Sequence, residues 1–249
     1  MSDKNNKIYF TTSWDDGHKL DLRLSELLAK YGIAGTFYVA KNFQERMRDE
    51  DIIKVSQDHE IGAHTITHPN LLKISESEAE KEITESKKWL ESLISEEIKM
   101  FCYPFGNYDE RIKRIIGSFG FIGARTVRDW VIKEPEDFFE MGTTIQVYPH
   151  PLRPGVDIRA GVRPFFDNIG GMIKYKISPK ALFSWQSLAR GLFDYVYKNG
   201  GVFHLWGHSW EIEKYGMWPD MEKFLEYISH REDCIYLTNG DLLNRIKKQ

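Results

Sequence analysis

Two adjacent carboxylates, Asp15 and Asp16, stand in the run Ser13-Trp14-Asp15-Asp16-Gly17, directly after a strand-like segment. Neighbouring acids repel each other unless something offsets their charge. A bound cation would do so, with one carboxylate as ligand and the other free as a base. An Asp-Asp-Gly turn that caps the following helix accounts for the same residues equally well. Further on, His64-Thr65-Ile66-Thr67-His68-Pro69 presents imidazoles four residues apart, a common way to offer two nitrogen ligands to zinc. Taken alone, these are two incidental surface histidines; taken with the Asp pair they describe one oxygen and two nitrogen ligands with positions left open, the pattern of a hydrolytic metal site. Zinc is the first expectation for the one divalent metal, with cobalt, nickel or manganese able to substitute. The third feature is His204-Leu205-Trp206-Gly207-His208-Ser209-Trp210-Glu211. His208, at a strand end, is placed to act as a general acid; the competing reading is a structural histidine in an aromatic corner. His204 lies inside the strand and reads as a core residue, and as the second choice for the acid.

The elements that must position these residues follow from periodicity. Residues 7–14 predict a strand and 20–31 a helix ended by Gly32; 35–40 predict a second strand, 43–57 are helix-compatible, and 60–65 form a third strand carrying His64 near its end. Ser75 with Glu78 makes a capping box, followed by Ala79, Ile83, Leu90, Leu93 and Ile94 near one helical face. Strands are expected at 100–104, 121–127, 201–206 and 234–238, and helices at 109–117, 218–230 and 241–248. The repeated strand-then-helix order implies a parallel sheet with helices outside it, whose active sites lie at the C-terminal strand ends. Residues 134–179, with six prolines, break this rhythm. They read as an elaborated loop region within a single domain spanning 1–249, which either shapes the substrate site or simply covers a barrel edge.

Composition narrows the classes. At 249 residues, with 41% apolar and 29% charged residues, the chain has the make-up of one soluble globular α/β barrel. A formal charge of −3 offers no broad positive field for phosphates, so nucleic acid is not expected as a partner. The polar opening, followed at once by Ile8-Tyr9-Phe10, contains no signal-peptide core or membrane-spanning segment, so a cytoplasmic location is expected. Cys102 and Cys234 are far apart and read as free thiols. Nothing in the sequence fixes the oligomeric state.

The ordered set Ser13 to Gly17, His64 to His68, Tyr103-Pro104-Phe105-Gly106 and His208 resembles the polysaccharide deacetylase family, also called the chitooligosaccharide deacetylase homology domain, over nearly the whole chain. The resemblance implies an α/β fold, a distorted (β/α)7-8 barrel, with a divalent metal. It also implies roles: Asp15 as base, Asp16, His64 and His68 as metal ligands, and His208 as acid. Tyr103 to Gly106 matches the family's Arg-x-Pro-Tyr element, but Cys102 stands at the Arg position and Phe105 at the Tyr position. A backbone N–H for the oxyanion survives the change to Phe105, next to Pro104, whereas Cys102 cannot orient the catalytic Asp as an Arg would. Arg125 is the candidate to supply that charge, with a packing arginine as the alternative. Asp129-Trp130 matches only the tail of the family's Asp-x-x-Asp-Trp element, leaving the group that tunes the acid open. Trp14, Phe105, Trp206 and Trp210 are candidates to stack on a sugar ring.

The expected function is hydrolysis of the amide of an N-acetylated sugar or related N-acyl compound. Two alternatives stand beside it. One is a ring-opening amidase of a small cyclic amide or imide, marked by a closed, charged pocket built from 134–179. The other is a non-catalytic carbohydrate-binding descendant, against which the retention of Asp15 and His208 speaks.

Overall fold

The computed structural model describes residues 7–149 and 169–249. Eight strands, all paired in parallel, form one curled sheet: β1 (Ile8–Trp14), β2 (Thr36–Val39), β3 (Glu60–Ala63), β4 (Met100–Cys102), β5 (Gly123–Arg125), β6 (Ile145–Gln146), β7 (Gly201–Gly207) and β8 (Cys234–Tyr236). The order is β5-β4-β3-β2-β1-β7-β6. β7 pairs with β1 along its whole length; on the other edge of β1, Ile8 to Phe10 pair with β8 and Ser13 and Trp14 with β2. A parallel bridge between Arg125 and Met141 joins β5 to the approach of β6, drawing the two ends of the sheet together into a distorted barrel.

Alternation along the strands sorts the chain into two cores, because successive side chains leave a strand on opposite faces. Ile8, Phe10 and Trp14 of β1, with Phe37, Val39, Phe101, Phe203 and Leu205, pack in the larger outer core beneath the helices. Tyr9, Tyr38, Met100, Cys102 and Val202 point the other way and fill the barrel. Leu242 and Leu243, from the last helix, join that inner cluster and close its lower end. Gly62 is required there: a Cβ would come within 2.4 Å of the Tyr38 ring.

The helices are α1 (Asp21–Lys30), α2 (Asp49–Ser56), α3 (Glu76–Ile94), α4 (Glu110–Ser118), α5 (Ile169–Tyr175), α6 (Trp185–Asn199), α7 (Ser209–Lys214), α8 (Trp218–Ile228) and α9 (Asn239–Lys247). The Ser75–Glu78 capping box forms as expected. Four elements go beyond the sequence expectation. β6 and α5 lie inside the 134–179 stretch, so its described part contributes a barrel strand and a helix and is more than a loop; residues 150–168 lie outside the described residues. α6 buries Trp185, Leu188, Ala189, Leu192, Phe193 and Val196 at helical spacing, and α7 begins immediately after His208. Among the described residues, no helix is long and apolar enough to cross a membrane.

Candidate active site

The top of β1 brings both carboxylates to one place by breaking its own alternation. Asp15 continues the inward series Tyr9, Thr11, Ser13, and its N–H still bonds the Gly207 carbonyl at 3.1 Å. Asp16 would then face outward, but its φ of 79°, followed by 72° at Gly17, turns the chain so that both acids line the same cavity. Gly17 has no alternative, since a Cβ would lie 2.6 Å from Val39 Cγ1. Thr65, His68 and Phe105 also carry positive φ around this cavity. Left-handed backbone at non-glycine residues costs on the order of 1 kcal/mol or more each, and such residues gather where function demands a particular direction.

His64 and His68 converge on Asp16. Their Nε2 atoms are 3.0 Å apart and lie 3.8 and 3.7 Å from Asp16 Oδ1. Ligand atoms held at about 2.1 Å in a tetrahedron stand about 3.4 Å apart, so the three atoms fit one small cation. His64 Nδ1 donates to the Cys102 carbonyl at 2.8 Å, which leaves the Nε2 lone pair for a metal. Burial, with the neighbouring His68, lowers the His64 pKa to about 4, so the ring stays neutral as a ligand must. The loop between the histidines is held from α3: the N–H groups of Ile66 and Thr67 and the Thr67 hydroxyl all donate to Glu82, at 2.8, 2.9 and 2.7 Å.

Asp15 is paired with Arg125, whose Nη2 donates to Oδ1; Arg125 is fully buried and its guanidinium lies 4.8 Å from the Trp206 ring centroid. Burial alone would raise the Asp15 pKa, but Arg125, His64 and His208 together hold it below the ordinary carboxylate value. Arg125 and Cys102 are register partners on β5 and β4. The positive charge missing at position 102 therefore arrives from the neighbouring strand, and Cys102 Sγ sits 3.7 Å from Asp15 Oδ2.

At the end of β7, His208 pairs through Nδ1 with Glu211 at 2.7 Å, and its Nε2 lies 3.8 Å from Asp16 Oδ2. Burial would lower the His208 pKa, but the Glu211 hydrogen bond and the Asp15 and Asp16 charges outweigh it and raise the value to about 9. His204 is fully buried, with Nε2 2.8 Å from the Ser13 hydroxyl and a pKa lowered to about 3 by burial and Arg125. It is a barrel-interior residue and does not line the cavity. That cavity, of about 560 Å³, is lined by Asp15, Asp16, His64, His68 and His208, with Phe43, Phe105, Trp206 and Trp210 among its aromatic walls.

A family model for polysaccharide deacetylases matches residues 2–123, the half that carries the Asp pair and both histidines. Those residues belong to the polysaccharide deacetylase family. Among curated members, a peptidoglycan-N-acetylglucosamine deacetylase of Bacillus cereus is 29% identical over 105 residues, covering 41% of this chain and 38% of that one. A chitooligosaccharide deacetylase of Azorhizobium caulinodans is 27% identical over 139 residues, covering 52% and 64%. The chain thus matches less than two thirds of the length of either relative. A Mycobacterium smegmatis structure assigned to the polysaccharide deacetylases superposes with a TM-score of 0.65 at 14% identity, covering 100% of this chain and 93% of that one, which establishes the shared barrel fold.

Set against this deacetylase pattern, most of the expected residues come together. Phe105 lies on the cavity rim, 61% exposed, its ring 4.7 Å from that of His68; Pro104 is buried beneath it. Trp14, expected to stack on a sugar ring, is instead fully buried in the outer core, because the strand face it occupies looks at the helices. Trp210 lines the cavity and spends its N–H on Asp16 Oδ2, at 3.0 Å. Trp206 also lines it and donates to Asp129 at 3.0 Å. Glu211, Glu82 and Gln146, which bonds Glu211 at 3.4 Å, were not foreseen. Glu211 had a signal, three residues beyond His208 at a helix start; Glu82 had none, being one more acid in the charged face of α3.

Proposed function

We propose that this chain is a metal-dependent deacetylase that hydrolyses the acetamide of an N-acetylated sugar or a related N-acyl compound. The observation that carries the reading is the convergence of Asp15, Asp16, His64, His68 and His208, from three strand ends, on one cavity of about 560 Å³, a size suited to a sugar unit. An amide resists hydrolysis because resonance weakens its electrophilicity and the amine leaves poorly. A catalyst must therefore activate water, stabilise an oxyanion and protonate nitrogen.

Asp16, His64 and His68 would hold the divalent ion, zinc or one of its substitutes. When bound, it supplies Lewis acidity that polarises the acyl carbonyl and acidifies water. Asp15, kept ionised and oriented by Arg125, takes the proton as the water oxygen bonds to the acyl carbon. Phe105 offers its backbone N–H at the rim to the developing oxyanion. His208, held through Nδ1 by Glu211, then gives its Nε2 proton to the amine nitrogen as the C–N bond breaks, leaving acetate and a free amine. Aromatic walls at Phe43, Phe105 and Trp206 suit the apolar face of a sugar ring.

The test is acetate release from free, oligomeric and nucleotide-linked N-acetyl sugars, run beside Asp15→Asn. Release that falls at least about 100-fold in the variant is expected. No release from any substrate, or equal release by the variant, would overturn the reading.

A further inference from the structure

The two oxygens of Asp16 have different neighbours. Oδ1 faces the histidines, 3.8 Å from His64 Nε2 and 3.7 Å from His68 Nε2. Oδ2 accepts the indole N–H of Trp210 at 3.0 Å. An indole nitrogen is a donor only; it neither ligates a cation nor gives up its proton in water, so it fixes which oxygen is left free. We propose that Trp210 is a positioning residue that confines Asp16 to the cation through a single oxygen. This rests on the metal reading above and adds to it a cause for the vacancy that hydrolysis needs. A carboxylate free to rotate can chelate through both oxygens and occupy a position otherwise open to water or to the substrate carbonyl.

The placement of Trp210 follows from α7. That helix begins at Ser209, so its first turn lies over the site. Trp210 reaches Asp16 from this turn, and Glu211, the next residue, holds His208 Nδ1 at 2.7 Å. One turn of helix thus supports a ligand on β1 and the group at the end of β7. The Trp210 ring sits 5.3 Å from that of His208, tilted by 38°, while its N–H edge is committed to Asp16. The sequence suggested sugar stacking for this residue; the geometry points to an outer contact of the metal ligand.

The experiment measures zinc binding by chelator competition for the full chain and for Trp210→Phe, with the cobalt-substituted visible spectrum of each and the unfolding midpoint of each metal-free form. Zinc affinity is expected to fall roughly ten- to hundred-fold, the usual effect of removing an outer contact. The cobalt bands should weaken as the coordination number rises, while the metal-free midpoint stays unchanged. If the variant does not fold, the Trp210 indole N–H of the unaltered, zinc-loaded protein should exchange slowly with solvent by ¹⁵N NMR. Equal zinc affinity and identical cobalt spectra, or an indole N–H exchanging as fast as an exposed one, would overturn the role of Trp210 alone. Failure of the unaltered protein to bind zinc would overturn the metal reading and this inference together.

Discussion

Arg125 shows how a charge can change its address without leaving the site. Family logic asks for an arginine at position 102, where this chain has cysteine; the register pairs Cys102 with Arg125, one strand over. Side chains so paired lie about 4.8 Å apart on the same sheet face, so the guanidinium reaches Asp15 from β5 instead of β4. Arg125→Met strands a buried carboxylate and is expected to cost about 3–5 kcal/mol in urea unfolding, as breaking one side of a buried pair does. Adding Cys102→Arg to that variant should restore part of both stability and acetate release; no recovery of either would refute the one-strand relocation. The need for such a residue was legible in the sequence because Arg125 ends a strand. The burial that makes it decisive was not.

Element-scale support is harder to read, because it depends on which helix face meets which loop. Glu82 belongs to the charged face of α3, yet three donors from the loop between His64 and His68 converge on its carboxylate. Glu82→Ala is expected to weaken zinc binding about ten-fold while the fold is kept, as chelator competition would show. An unchanged affinity would mean that the loop holds itself. The capping box at the start of α3 is a contrasting case: Ser75→Ala should lower stability by about 1 kcal/mol and leave acetate release per folded molecule unaltered. That cap, and most strands, could be read directly from local pattern. β6 could not, since Ile145–Gln146 is too short to show a period and gains its strand character from pairing with Leu205 and Trp206 of β7. The periodicity of α6 was present in the sequence but followed the proline-rich stretch, which obscured where a helix could begin.

The whole molecule is a barrel whose lower end, like its upper one, holds a carboxylate. There Glu60, at the start of β3, accepts from the Thr36 hydroxyl at 2.7 Å and from the Gly240 N–H at 3.0 Å, tying β2, β3 and α9 together. Burial raises its pKa from 4.5 to about 7. The folded chain therefore binds this proton more tightly than the unfolded one. The resulting stability is complete below pH 4.5 and is lost as pH rises through about 7. Glu60→Gln should match the unaltered protein at low pH and exceed it above pH 7 by at most about 3 kcal/mol, taking 1.36 kcal/mol per pK unit; parallel stability curves from pH 4 to about 8 would contradict this.

At the upper end, one cation held by Asp16, His64 and His68 and one base at Asp15 are proposed to make the chain a deacetylase together. The most direct test follows acetate release while chelator-stripped protein is titrated with zinc, for the unaltered chain and for Asp15→Asn. Activity should return with one ion per chain, and the variant should take up the same ion without recovering it. Full activity in the stripped protein, or recovery by the variant, would contradict the account.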